Sequence, residues 1–373
     1  MMKAVNGQAI IQLFEEWAPK SLAVEGDKVG LMIGTLNKPV RHVMIALDVL
    51  EEVVDEAIEK KVDLIIAHHP LLFRPLKKID TESGQGPIIE KCIKHDITVY
   101  AAHTNLDIAD GGVNDMLADK LDLQNTRVLV PTTEIPLKKL VAFVPENHVE
   151  EVRQALGDAG AGYIGGYSHC TFSSAGTGTF IPGDDTNPYL GKRREMEFAS
   201  EKRIETIVPQ PLVRKVTNAL EKAHPYEEPA YDLYSLDLEG EKMGLGRIGE
   251  LKKELPFEEF IEQVKKAFSV EDIRATKPFP QQVRKVAVLG GDGNKYWQYA
   301  NRQGADVYIT GDLYYHTAHD AQMGGQCIID PGHHVEKVMK EGVKKELEKR
   351  MEEKKFQANV MASEVSTEPF TFF

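Results

Sequence analysis

The chain predicts an α/β fold interrupted by a separate α+β segment, and three observations carry that prediction. Short apolar runs bounded by turn residues alternate with amphipathic stretches over the first third of the chain and again over the last third. Polar clusters close four of those runs, IIAHHP (65–70), YAAHTNLD (100–107), YITGDLYYH (308–316) and IIDPGHHVE (328–336). From about residue 131 the pattern changes to longer strands and two helices around a loop rich in glycine and polar residues.

Taken in order, IIQLFEEWAPK (10–20) has the spacing of an amphipathic helix, and VMIALDVL (43–50) reads as a strand running into the helix LEEVVDEAIEKK (50–61). VDLIIAHH (62–69) is a buried strand by its continuous apolar run, GPIIEKCIKH (86–95) a helix, and ITVYAAH (97–103) another strand. VNDMLADKL (113–121) is a helix that follows Gly111 and Gly112. Strands alternating with helices imply a largely parallel sheet covered on both faces.

The middle segment runs strand KKLVAFVP (138–145), helix HVEEVRQALGDAG (148–160), strands within 168–182 and 196–209, helix PLVRKVTNALEKAHP (211–225) and strand AYDLYSLD (230–237). That β-α-β-β-α-β order is the order of a ferredoxin-like α+β domain. From residue 283 the first pattern resumes through KVAVLGG, YWQYANRQG, ADVYITGD, YYHTAHDAQMGG, CIID, a long C-terminal helix from residue 334 and a last strand, FQANVMASEV (356–365). The expected organisation is one α/β metal-binding domain split into residues 1–130 and 241–373, with residues 131–240 inserted as a ferredoxin-like domain. EKKVDLIIAHH and NRQGADVYITGD share a helix end, a turn and a strand with a polar tip, which hints at an internal duplication.

Composition narrows the function. The 373 residues carry a net charge of −13, against the basic footprint that broad nucleic-acid binding needs. No apolar run spans a bilayer, and the N-terminal residues lack a signal-peptide core, so a cytoplasmic protein is expected. Cys92, Cys170 and Cys327 are odd in number and far apart, which argues against disulfides and a thiolate zinc site; Cys327 reads as core.

The chemistry sits at the strand tips. In an open α/β sheet the carboxyl ends of the strands share a crevice, so His68, His69, Asp107, His333 and Glu336 are candidates for one metal site. Imidazoles with carboxylates and no thiolate suit zinc, iron, manganese or nickel. On extended backbone the neighbours His68 and His69 would point to opposite sides and face different ions, with Asp107 or Glu336 bridging. Glu336 follows His333 by three positions, one helical face. Asp107 has the alternative of capping the following helix. His103 has three readings, a ligand, a support to the ligands or a proton carrier, and a support is the one expected. Asp312, His316 and His319 are candidates for lining a substrate pocket, with an exposed helix face as the equal alternative for His316 and His319, and GGDGN (290–294) reads as a tight βα turn rather than a phosphate cradle.

The motifs IALDV, IIAHHPLLF, AAHTNLD, GHHVE and the ending STEPFTF, with HPYEEPAYDLYSL in the insertion, resemble the family of GTP cyclohydrolase 1 type 2 homologues along the full chain. The resemblance implies a two-lobed α/β fold, a toroidal homohexamer and a PII-like or copper-tolerance-protein-like insert. It further implies a dinuclear centre with two divalent ions, zinc first, held by His68, His69, Asp107, His333 and Glu336. Family members often place the final glutamate four residues after the histidine, whereas position 337 here is lysine, which leaves His333 and His334 as alternatives. The implied activity is that of a metal-dependent hydrolase acting on a small, nucleotide-like substrate. The competing expectation is a metal-holding regulatory scaffold whose insert senses a small molecule or partner.

Overall fold

The computed structural model describes residues 5–371. They form two compact units, one built from the residues up to Thr133 together with those from Met243 onward, the other being Glu134–Lys242.

Besides the antiparallel pair Val5–Asn6 and Pro39–Val40, the first unit holds two larger sheets that combine parallel strands with antiparallel ones. One sheet has the order Asn359–Ala362, His42–Ala46, Leu64–Ala67, Thr98–Ala101, Gly30–Ile33; its first four strands are parallel and Gly30–Ile33 is antiparallel. The other has the order Arg274–Ala275, Cys327–Asp330, Val307–Gly311, Gln282–Asp292, Lys242–Pro256, Gln124–Glu134. Its strands Cys327–Asp330, Val307–Gly311 and Gln282–Asp292 are parallel, while Arg274–Ala275 and Lys242–Pro256 run against their neighbours. Every residue of Leu64–Ala67, Thr98–Ala101 and Cys327–Asp330 is buried, as strands covered on both faces require.

Helices make the crossovers. Glu51–Glu59 carries two acids in its first turn, where the helix dipole favours negative charge, and buries Val53, Val54 and Ala57 on one face. Gly86–Lys94 buries Ile88, Ile89 and Cys92 in the same way. One core joins the two sheets. It contains Val43, Ile45, Leu64, Ile66 and Tyr100 from the first and Val286, Val288, Val307, Ile309 and Ile329 from the second. Phe14, Leu117, Met339, Val343 and Leu347 come from helices Gly7–Glu15, Val113–Lys120 and Val338–Glu353. This common core fixes the carboxyl ends of both sets of parallel strands relative to each other.

The second unit is a four-stranded antiparallel sheet in the order Tyr231–Ser235, Leu137–Pro145, Glu197–Pro209, Phe172–Phe180, with helices Val149–Asp158 and Val213–Ala223. The chain is therefore a mixed α/β protein with several sheets. All three cysteines are free, Cys92 and Cys327 buried, and no helix of the described residues is long and apolar enough to cross a membrane.

Candidate metal centre

Parallel strands deliver the site. Leu64–Ala67 ends immediately before His68 and His69, and Thr98–Ala101 just before Ala102 and His103. His42–Ala46 ends two residues before Asp48, and Val307–Gly311 immediately before Asp312. Cys327–Asp330 leads through Pro331 and Gly332 into the 3-10 turn His333–Lys337, which carries Glu336. Asp107 lies in the short helix Thr104–Ile108.

Four of the five predicted ligands, His69, Asp107, His333 and Glu336, line one cleft of about 670 Å³, and His68 is fully buried beside them. Glu336 Oε2 stands at the centre, 3.1 Å from His69 Nε2, 3.2 Å from His333 Nε2 and 3.6 Å from His68 Nε2. His68 Nε2 also lies 3.6 Å from Asp107 Oδ1. Two donor groups result, His68 with Asp107 and Glu336, and His69 with His333 and Glu336, so that Glu336 belongs to both. The strand stops at Ala67, so the strict alternation expected for His68 and His69 does not extend to them; their ring centroids are 5.0 Å apart and both Nε2 atoms approach Glu336. With Glu336 they belong to different donor groups, His68 beside Asp107 and His69 beside His333.

The outward nitrogens are all engaged. His68 Nδ1 lies 2.9 Å from the Ala102 carbonyl, His69 Nδ1 2.7 Å from Asp48 Oδ1, and His333 Nδ1 2.7 Å from Asp312 Oδ2. Carbonyls and carboxylates only accept, so each Nδ1 carries the hydrogen and each Nε2 presents its lone pair to the cleft once deprotonated. His103 is oriented likewise, its Nδ1 2.8 Å from Asp27 Oδ1, while Asp27 also accepts from the Thr104 hydroxyl and amide. With His68 and His69, His103 forms a third donor group at the rim.

Among the candidate ligands, two buried atoms are left without a hydrogen-bond partner: His68 Nε2 and Asp107 Oδ1. A buried polar atom with no hydrogen bond is costly, and these two are aimed at each other across 3.6 Å, too long for a hydrogen bond and suited to sharing a cation. The donor set therefore fits divalent metal by its chemistry and by its orphaned atoms.

Electrostatics follow from the same crowding. Burial works against charge on His69, yet hydrogen bonds with Asp48 and Glu336 outweigh it and push the imidazole up to about 10. In His333 burial is likewise overcome, here by Glu336 and Asp312, and the ring is pushed up to about 9. Burial pushes the Asp107 carboxyl up to about 6 against the pull of His68, whereas the surrounding histidines overcome burial at Glu336 and hold it well below the usual carboxylate range. Hydrogen bonds from His103 and Thr104 similarly overcome burial and hold Asp27 low.

Glycine makes the room. Gly291 has φ +65°, and a Cβ there would sit 3.0 Å from Glu336 Oε1 and 3.3 Å from His333 Nε2; at Gly290 it would sit 2.7 Å from Glu336 Oε1. In GGDGN the Gly290 amide donates to Asn114 Oδ1, the Gly293 amide to Thr310 Oγ1 and the Asn294 amide to Asp292 Oδ1. His316 and His319 stand exposed on helix Tyr315–Met323, outside the donor groups, and their expected neighbour Asp312 supports His333 instead. His334 belongs to none of the donor groups found among the described residues. The supporting acids Asp48 and Asp27 were not singled out by the sequence; a carboxylate just past an apolar strand, as in IALDV, was the available signal for Asp48.

A model of the Duf34/NIF3 (NGG1p interacting factor 3) family matches residues 5–369. The chain is 61% identical over 371 residues to a GTP cyclohydrolase 1 type 2 homolog of Halalkalibacterium halodurans, covering 100% of both chains. It is 58% identical over 372 residues to the protein of the same name from Bacillus subtilis, again covering 100% of both. A crystal structure of a Bacillus cereus protein related to NIF3 superposes with a TM-score of 0.93 at 59% identity, with 100% of each chain covered. By the extent of these matches, the chain is a member of the Duf34/NIF3 family.

Proposed function

We propose that the protein is a metal-dependent hydrolase that holds two divalent ions, zinc first, one on each side of Glu336. The observation that carries this reading is the pair of donor groups sharing Glu336, with His68 Nε2 and Asp107 Oδ1 buried and unpartnered. His68, Asp107 and Glu336 would hold one ion, and His69, His333 and Glu336 the other. Ions held there would supply Lewis acidity toward a carbonyl, ring carbon or phosphoryl group and make water acidic enough to attack near neutral pH.

The chain's own residues supply the rest. Asp48, Asp312 and the Ala102 carbonyl fix the ligand rings, and such partners set both tautomer and basicity. His103 lines the cleft beside His68 and His69, with ring centroids 5.3 and 5.8 Å away, and its Nδ1 proton is held by Asp27. Its Nε2 is the atom placed to take a proton from a substrate and return it. Phe73 and Tyr296 add aromatic wall to the same cleft, which suits a flat, ring-bearing substrate. The name shared by the curated relatives makes GTP the first nucleotide to try. A proton-handling histidine at an open cleft favours hydrolysis over a purely structural metal store.

The family resemblance supports a toroidal homohexamer. The β-α-β-β-α-β order of Glu134–Lys242, with its antiparallel sheet, supports a ferredoxin-like, PII-like insert. The zinc-loaded protein assayed against GTP, other nucleotides and phosphoesters should turn over at least one of them, with His103→Asn lowering the rate about 100-fold or more while metal content stays constant. No metal-dependent turnover on any of them sinks the hydrolase reading.

A further inference from the structure

The unit Glu134–Lys242 contains a second cleft, of about 570 Å³, that has no part in the metal centre. Its position follows from strand alternation. Leu140, Ala142, Val144, Ile204 and Val208 point to the face on which both helices pack, with Val152, Leu156, Val216 and Leu220. Phe143, Glu201 and Arg203 therefore point to the other face, which carries no helix, and there they line the cleft. Residues 174–180 of the edge strand Phe172–Phe180, with segments 181–190 and 226–230, supply its remaining walls.

Glu201 is the unusual residue in this cleft. It is only 6% exposed, in a unit small enough that a buried acid has to be accounted for. One carboxylate oxygen accepts a hydrogen bond from the Tyr226 hydroxyl at 2.8 Å, and the other lies against Gly178, where a side chain would collide with it. The nearby cations are engaged elsewhere. Arg203 pairs with Glu205 at 3.0 Å. His224 has both ring nitrogens occupied in a way that keeps it neutral: Nε2 lies 2.9 Å from the Phe143 carbonyl, and Nδ1 accepts from the Tyr226 amide at 3.1 Å. Among the described residues, no lysine, arginine or histidine forms an ion pair with Glu201.

Around that carboxylate stand aromatic rings. Tyr226 meets Phe180 at 5.8 Å and Tyr189 at 6.2 Å between centroids, and Phe143 completes the lining. Glu227 keeps the loop in place by accepting the Asn187 amide at 3.2 Å. Aromatic faces around a buried, uncompensated carboxylate are the chemistry that recognises an organic cation: the rings attract positive charge, and the carboxylate gains the partner that burial demands. The volume suits a small molecule and exceeds what a lone metal ion needs.

We propose that this cleft binds a small organic cation, an ammonium-bearing molecule with a flat or apolar body, its nitrogen on Glu201 and its body against Phe180, Tyr189 and Tyr226. Gly176 offers a way to fill the cleft without disturbing the sheet, because it lines the cavity and a Cβ there would meet nothing within 4 Å.

The test is calorimetric titration of the full chain, and of its Glu201→Gln and Gly176→Leu variants, with phenethylammonium, and with neutral 2-phenylethanol as the control of the same shape. Glu201→Gln keeps the acceptor for Tyr226 and removes the charge. Saturable binding of phenethylammonium is expected, weaker by about 10-fold or more in Glu201→Gln and for 2-phenylethanol, and abolished in Gly176→Leu. The proposal is overturned by an absence of saturable phenethylammonium binding to the full chain. Equal affinity in either variant, or equal affinity for the alcohol, overturns it as well.

Discussion

Replacing Glu336 by glutamine keeps the shape of the side chain and removes the only charge common to both donor groups. The consequences for the two groups differ. Beside His68, the carboxylate of Asp107 remains as an anionic donor; between His69 and His333, nothing anionic remains, because Asp48 and Asp312 are turned to the far sides of those rings. The ion between His69 and His333 is therefore the one released, and metal content is expected to fall from about two ions per chain to about one. The metal-free variant should also lose stability, by about 3–5 kcal/mol, since Glu336 is a buried charge whose partners would be left uncompensated. Elemental analysis after dialysis reads the first effect and denaturant unfolding of the stripped protein the second. Lys337→Ala and His334→Ala serve as silent controls. Full occupancy in Glu336→Gln would refute the shared-ligand geometry, and loss of metal in His334→Ala would assign the ligand to His334 in place of His333.

Further consequences concern the residues behind the ligands and the protons on them. Asp48→Ala and Asp312→Ala each release one ligand ring, at His69 and His333, and should weaken metal binding by about 10–100-fold with the fold intact; chelator competition measures it, and unchanged affinity in both would remove these acids from the account. With His69 pushed up to about 10 and His333 to about 9, the empty site is protonated at pH 7, so metal must displace protons. The sign is fixed by the raised values: apparent affinity should rise steadily from pH 6 to pH 9, with proton release seen as a dependence of the binding heat on buffer, and a flat affinity profile contradicts it.

The candidate ligands come together in the fold because of where they fall in the sequence. Short apolar runs such as LIIA and CIID, bounded by turn residues, read as buried strands, and histidines placed just after them are carried to the strand ends. The family resemblance, carried by the same motifs, agrees with the match along residues 5–369. The supporting acids were much less visible. Asp48, Asp27 and Asp312 are single carboxylates in turns, and what distinguishes them is a partner 21 or 76 positions away in the chain, which no local pattern reports. Local spacing paired Asp312 with His316 and His319, while the left-handed backbone at Asp312, φ +54°, separates it from the helix that follows. Strand Lys242–Pro256 also escaped the reading. Its sequence KMGLGRIGELKKELP spaces three glycines and six charged residues along 15 positions, so it offers no continuous apolar run and no clean alternation. The rotation of His68 and His69 toward a common centre was missed for a related reason: alternation holds only while the backbone stays in the sheet, and the sheet ends at Ala67.

The most direct measurement is anomalous diffraction from crystals of the zinc-loaded protein. Two peaks are predicted in the cleft, one within about 2.0–2.6 Å of His68 Nε2 and Asp107 Oδ1, the other within the same distance of His69 Nε2 and His333 Nε2, with Glu336 reaching both. No peak in the cleft, or a peak coordinated by His334 in place of His333, would contradict the account.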